Sequence, residues 1–309
     1  MDVLVHGGVG GTPEEPERRQ SVLDEAATSG TTERAPMSAV ESAVRTLETD
    51  PKFNAGVGSA VQSDGKIRTD AGLMTSDREV GCACAMEGVE HAVSAARVVL
   101  EETPHVLVTG PQATVLAHDY GVETGCDLWT DRTSERWAET ASPSGSSLRA
   151  HVQWVTDRFG GASGDDGDSP AEVGTEGRTG DDPRDHDTVG AVARDGDRFA
   201  AATSTGGRWF ALAGRVGDVP QTGAGVYCNE AGAASATGAG EEIARASLTR
   251  RAVGYMEAGH TAPTAARFAV SEFEEHAPAD ANVGIVLVGA EETGSAFTSD
   301  AMQTALARR

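Results

Sequence analysis

Thr188 stands where a long acidic stretch with almost no apolar residues gives way to Val189, Ala191, Val192 and Ala193, the pattern of a short buried strand. A threonine hydroxyl is a weak nucleophile until a base takes its proton. The residue's own α-amino group, with an ordinary pKa of about 7.7 to 8.0, is one such base. That amine exists only if the bond after Asp187 is cut. On local pattern alone Thr188 is either the first residue of a β-branched strand or the centre of the molecule.

Other residues offer compatible chemistry. Arg215 and Asp218 share the glycine-bordered loop Gly214 to Asp218. Arginine takes a carboxylate bidentately and aspartate takes an ammonium, so the pair could grip an amino acid; equally it could be a surface ion pair of little worth. Thr237, Gly238 and Gly240 come just before or at the start of a helical pattern at Glu241. Backbone N–H groups there, beside a hydroxyl, suit a developing oxyanion or simply cap the helix. Asn54 lies in the glycine-rich run Phe53 to Ser59 and must find partners for both ends of its amide, within the loop or on a ligand.

The elements that must position these groups follow from periodicity. Asp2 to Val5 reads as a strand ending in His6, Gly7, Gly8, Val9, Gly10 and Gly11. That run lacks GxGxxG spacing, and Gly65 and Lys66 are followed by Ile67 where a P-loop needs Ser or Thr, so a nucleotide site is not supported. Helices are predicted from Pro16 to Ala27, through Met37, Val40, Val44 and Leu47, from Ala92 to Glu101, through Ala113 to His118, from Glu241 towards Gly259 and from Thr264 to Glu274. Strands are predicted at Val106–Val108, from Thr188 to a hairpin through Asp195, Gly196 and Asp197, at Phe199–Thr203, Gly223–Tyr227, Val283–Val288 and finally near Ala296–Thr298. Paired strands with grouped helices suggest two packed sheets covered by helices, an α+β domain. From about Thr140 the composition turns to Ser, Gly, Asp, Glu and Pro, broken only by Val152, Trp154 and Val155. Such a stretch buries too little apolar area to offset its ordering entropy, so disorder is expected from about Gly160 to Asp185.

The 309 residues carry 25 basic against 48 acidic side chains, a formal net charge of -23, and the only lysines are Lys52 and Lys66. Nucleic acid is excluded as a partner, because phosphate contacts need clustered cations. A surface this acidic suits concentrated salt, where charge repulsion is screened within about 3 Å at 1 M, so a halophilic cytoplasm is expected. Cys82, Cys84, Cys126 and Cys228 show neither zinc spacing nor a disulfide framework. No signal peptide or membrane span is expected.

Together, several stretches resemble the plant-type asparaginase and isoaspartyl peptidase family of N-terminal nucleophile hydrolases. They are HGG at His6, FNAGVGS at Phe53, DA at Asp70, AAR at Ala95, TPHV at Thr103, DTVGAVA at Asp187, TSTGG at Thr203, GRVGD at Gly214, GAG at Gly223 and TGAGE at Thr237, in the family's order. The resemblance implies an α+β fold, a four-layer αββα sandwich forming one domain from two chains after autocleavage. Residues 1–187 would be the α subunit, with a flexible acidic tail from about 160, and 188–309 the β subunit. Cleavage between Asp187 and Thr188 would free Thr188 as nucleophile, with Asn54 and Thr205 orienting it. Arg215 and Asp218 would hold the substrate's carboxylate and ammonium, Thr237 and Gly238 would form the oxyanion hole, and Gly240 would line the wall.

By the same resemblance the substrate is L-asparagine or a β-aspartyl dipeptide and the assembly is a dimer of αβ heterodimers. No cofactor serves the chemistry; a structural sodium would sit on the backbone of Leu47, Glu48, Asp50, Lys52 and Phe53. His186 and Asp187 replace the glycine usual before the nucleophile, as in glycosylasparaginases, and Thr75 and Ser76 replace Asp-Gly. A glycosylasparaginase-like amidase and a non-catalytic amino-acid binder are the alternatives.

Overall fold

The computed structural model describes residues 1–13, 15–143, 145, 147–160 and 188–309. Asp187 and nearly all of the stretch expected to be disordered lie outside the described residues. The elements in the first part are β1 (Asp2–Gly10), α1 (Pro16–Thr32), α2 (Pro36–Thr49), β2 (Thr69–Thr75), β3 (Val80–Met86), α3 (Ala92–Glu102), β4 (Leu107–Thr109), α4 (Gly110–Asp119), α5 (Asp131–Ala138) and α6 (Leu148–Phe159). The second part holds β5 (Val189–Asp195), β6 (Arg198–Thr205), β7 (Val226–Asn229), β8 (Gly232–Gly238), α7 (Gly240–Ala246), α8 (Leu248–Glu257), α9 (Ala262–His276), β9 (Val283–Val288), β10 (Thr293–Phe297) and β11 (Ala301–Arg308).

These strands form two sheets. One is seven-stranded, in the order β11-β1-β5-β6-β2-β3-β4, and the other four-stranded, in the order β10-β9-β8-β7. The pairs are antiparallel except β3 with β4. Alternation along the strands explains how the large sheet is covered on both faces. Val3, Val5, Ala191, Ala193, Ala200 and Ala202 point into a core shared with Leu23 of α1, Val40, Val44 and Leu47 of α2 and Val93 of α3. Their sequence neighbours Leu4, Val192, Phe199 and Ala201 point the other way, into a core shared with the small sheet and with Val253 and Phe273 of α8 and α9. Each such valine or leucine stabilises the fold by roughly 1.5 to 3 kcal/mol when fully buried.

The predicted α+β class and most elements are present, with several corrections. β1 does not stop at Val5; it continues through the glycines to Gly10, with a register shift between His6 and Val9. The helix expected from Glu241 is two helices, because Ser247 adopts a left-handed φ of 51°. The apolar residues at 152–155 belong to a full helix, α6, preceded by α5, and neither helix was expected. Ala296–Thr298 is not the last strand: β11 pairs with β1 and brings the chain ends together, Met1 N donating to Arg309 O at 3.1 Å and Arg309 N to Met1 O at 2.9 Å.

Candidate active site

The strand register builds the centre of the site. Val189 pairs with Ser204, so Thr188 falls opposite Thr205, and Asp70 pairs with Thr205 from the other side. Residues directly opposite in antiparallel strands share a face. The Thr188 hydroxyl donates to Thr205 Oγ1 at 3.0 Å, and the same oxygen accepts from Gly207 N at 3.0 Å. Asn54 stitches this turn to its own loop: its side chain donates to Gly207 O at 2.6 Å and accepts from Ala60 N at 2.7 Å, while its carbonyl accepts from Gly206 N at 2.7 Å. A Cβ on Gly206 would lie 2.3 Å from the Ser59 Cβ, so only glycine lets the two loops meet.

Arg215 and Asp218 come together beside Gly240. A Cβ on Gly240 would lie 2.7 Å from Asp218 Oδ1 and 2.8 Å from Arg215 Nη2, and one on Gly207 would lie 3.6 Å from Arg215 Nη1. Arg215 donates through Nε and Nη2 to the two oxygens of Glu241 at 2.9 and 2.8 Å. Asp218 is buried, and its Oδ2 has no hydrogen-bond partner. Burial pushes its carboxyl up to about 7, against the opposing pull of Arg215. A buried carboxyl with one unpartnered oxygen, beside a guanidinium whose Nη1 faces Gly207, is ready for a ligand that brings an ammonium and a carboxylate.

Sequence reasoning passed over Asp70 and Glu241 as site residues. Asp70 is buried, accepts from Ala85 N at 2.7 Å, and burial raises its carboxyl to about 7. Its place next to Thr205 depends on β2 pairing with β6, which no local pattern announces. Glu241 was legible only as a helix start. Its carboxyl is held down to about 2: burial opposes ionisation, but hydrogen bonding to Arg215 outweighs it.

Beneath Thr188 the two sheets meet through small residues. His6 Nε2 lies 2.9 Å from Ser235 Oγ, which lies 2.7 Å from Thr203 Oγ1. A Cβ on Gly190 would lie 2.0 Å from Ser235 Oγ, so this strand can cross only as glycine. Burial pushes the His6 imidazole down to about 3, leaving it neutral. Thr237 and Gly238 end β8, just before α7 begins at Gly240. Thr237 is buried with its hydroxyl accepting from Val9 N at 3.4 Å, and Gly238 has φ 130° with no room for a side chain beside Asn282 O.

The loop from Leu47 to Phe53 offers main-chain oxygens. Leu47 O accepts from Asp50 N, Glu48 O from Val57 N, Asp50 O from Phe53 N and Lys52 O from Arg19 Nη1. Each carbonyl has a second lone pair. The Glu48 side chain turns inward, accepting from Ser204 Oγ at 2.5 Å and Val93 N at 3.0 Å. Among the described residues no group of three His, Cys, Asp or Glu could hold a metal ion. Asp187 and His186, which favoured the glycosylasparaginase alternative, lie outside the described residues.

A strand-head hydroxyl tied to a second hydroxyl, with a cation and a buried carboxylate on the adjoining loop, is the arrangement a hydrolase of small amino-acid amides needs. The chain belongs to the asparaginase family, whose model matches residues 1–309. It is 34% identical over 298 residues to the plant-type L-asparaginase of Pyrococcus abyssi, covering 93% of this chain and 89% of that one. It is 36% identical over 280 residues to the isoaspartyl peptidase/L-asparaginase of Rattus norvegicus, covering 87% and 74%. With the isoaspartyl peptidase/L-asparaginase of Danio rerio the identity is 33% over 318 residues, covering 99% and 92%.

Proposed function

We propose that the protein is a self-processing amidohydrolase that cleaves L-asparagine to aspartate and ammonia, and also cleaves β-aspartyl dipeptides. The observation that carries this reading is the hydrogen bond from Thr188 to Thr205 at the head of a central strand, on a sheet that also carries Asp70. Scission begins with the Thr188 hydroxyl attacking the Asp187 carbonyl; the peptide nitrogen leaves as the new amine, and water hydrolyses the resulting ester, leaving an α chain of 1–187 and a β chain of 188–309. The two remain one domain, a four-layer αββα sandwich. That layering is supported by α1, α2 and α3 packing on the large sheet, by α8 and α9 packing on the small one, and by β5 and β6 facing β8.

In the reaction, Thr188 Oγ forms a bond to the amide carbon of the substrate side chain while the freed amine takes the hydroxyl proton. The amine passes that proton to the leaving nitrogen, which departs as ammonia or as the amine of a dipeptide. Water then attacks the β-aspartyl ester with the same amine as base, releasing aspartate and restoring the hydroxyl. Arg215 takes the α-carboxylate, Asp218 the α-ammonium, and Gly240 leaves them room. Thr237 and Gly238 supply oxyanion donors, while Asn54 and Thr205 hold the turn that orients the nucleophile.

The carbonyls of Leu47, Glu48, Asp50, Lys52 and Phe53 fit a monovalent cation such as sodium, which takes neutral oxygen ligands. It would brace the loop and contribute nothing to the chemistry. The active form is a dimer of cleaved αβ units in a halophilic cytoplasm. Four unpaired cysteines and the charge of -23 support that compartment, and unchanged stability between dilute buffer and molar salt would argue against it.

Amino-terminal sequencing and an ammonia assay test the whole scheme. Active protein yields a new terminus at Thr188, and Thr188→Ala abolishes both cleavage and ammonia release; activity in that variant would assign the nucleophile elsewhere.

A further inference from the structure

The chain has four tryptophans, Trp129, Trp137, Trp154 and Trp209, and all of them gather with Phe159 and Phe210 in a cluster separate from the two main cores. The cluster lies at the loop 208–215, which runs from the glycines after Thr205 to Arg215. Phe210 is its centre. Its backbone has φ 61°, a left-handed conformation that bulky residues avoid and that persists only where the surroundings over-determine it. The surroundings here are other rings and two guanidiniums. Trp137 stacks at 6.2 Å, Trp154 meets the ring edge-on at 6.0 Å and Trp209 lies tilted at 5.7 Å. Arg158 lies 4.5 Å and Arg136 5.4 Å from the ring centre, and Arg208 lies 4.1 Å from that of Phe159.

The rest of the loop is pinned by hydrogen bonds. Phe210 N donates to Val61 O at 2.8 Å, Gly214 N donates to Gln62 Oε1 at 2.8 Å, and Gln62 Nε2 donates to Arg215 O at 3.0 Å. Ser63 Oγ accepts from Ala213 N at 3.0 Å and lies 2.9 Å from Nδ1 of the buried His151. Trp137 and Arg136 belong to α5, and His151, Trp154, Arg158 and Phe159 belong to α6. These two helices add no strand to either sheet. Their aromatic and cationic side chains converge on one strained residue, five positions before Arg215.

We propose that α5 and α6 form a clamp that fixes the loop 208–215 and, through it, the Arg215 guanidinium, so that the clamp sets the affinity of the site for a substrate's α-carboxylate. This rests on the amino-acid-amide reading above. Trp154 and Arg158 are positioning residues: they touch the loop and not the reacting atoms. The nucleophile candidate is held by Thr205, whereas Trp154 and Arg158 hold Phe210, so loosening the clamp weakens binding without slowing the bond-making steps.

The test uses the full-length, self-cleaved protein. KM and kcat are measured on L-asparagine, and L-aspartate binding is followed by tryptophan fluorescence. Trp154→Ala is expected to raise both KM and the aspartate dissociation constant by about tenfold. Its cleavage and kcat stay close to those of the parent protein, and Trp154→Phe, which keeps a ring edge-on to Phe210, restores affinity. Arg158→Gln, a partly exposed position, is expected to give the same split and serves if the alanine variant does not fold. Unchanged KM and aspartate binding in these variants, or a fall in kcat at constant KM, overturns the clamp alone. A parent protein that neither releases ammonia from asparagine nor binds aspartate overturns the substrate reading, and the clamp with it.

Discussion

Thr188 Oγ1 donates a hydrogen bond to Thr205 Oγ1, an oxygen that also accepts from the Gly207 amide, so the nucleophile candidate is oriented by a hydroxyl that is itself fixed by a backbone turn. Replacing Thr205 with Val keeps the shape and removes the acceptor. Thr188 is then free to rotate, and misplacement of a reacting atom lowers kcat by roughly 10²-fold. The measurement is kcat on L-asparagine with KM recorded alongside; a rate within twofold of the parent would show that Thr205 orients nothing.

Glu241 occupies the Nε and Nη2 edge of Arg215 and leaves Nη1 turned towards Gly207. Glu241→Gln removes one charge-assisted bond and lets the guanidinium swing. Such a bond is worth about 1.5 to 3 kcal/mol, so KM for asparagine should rise by about 10- to 100-fold. A substrate lacking the α-carboxylate should be indifferent to the change. Equal losses on both substrates would mean that the pair serves only the fold.

Gly240→Ala separates site from stability in the opposite way. Alanine is a better helix former than glycine at the start of α7, yet its Cβ would crowd Asp218 and Arg215. The expected protein melts no lower than the parent and has sharply weakened aspartate binding. Retained binding would place the amino-acid grip elsewhere.

Two buried carboxyls make the protein sensitive to pH near neutrality. Asp218 must be charged to hold an ammonium, and burial raises it to about 7, so L-aspartate binding should weaken as pH falls through about 7. Binding, unlike turnover, does not need the Thr188 amine, so that group drops out of the pH dependence. Asp70 bears on stability. Its folded pKa of about 7 exceeds the ordinary 3.8, so the folded form keeps a proton that the unfolded chain has lost. Stability therefore falls as pH rises between these values, by roughly 1.4 kcal/mol per pH unit, and levels off above about 7. Denaturation of the parent and of Asp70→Asn at pH 5.5 and 7.5 in molar salt should show a shallower slope in the variant, which keeps the contribution of Asp218 and loses that of Asp70.

What was legible in the sequence followed local rules. Val40, Val44 and Leu47 announced a helix face, Asp195 to Asp197 a hairpin, and the abrupt change at Thr188 the head of a strand. Thr188 lies beside Thr205, Asn54 holds the adjoining turn at Gly207, and Arg215 and Asp218 lie beside Gly240. Asp70 was hidden because its role depends on the pairing of β2 with β6, strands distant in sequence. α5 and α6 were hidden because they are short and polar, and they gain stability by meeting Trp209 and Phe210 rather than by periodicity of their own. β8 and β11 are rich in small residues, which gave them no strong alternation to read.

The meeting of Met1 and Arg309 across β1 and β11 has an engineering consequence. A short peptide could join those ends, and the chain could then be opened ahead of residue 188, giving a circular permutant. Once its initiating methionine is trimmed, that polypeptide would carry Thr188 as its first residue from birth. Maturation and turnover, which share one hydroxyl in the natural order of segments, would then be separated.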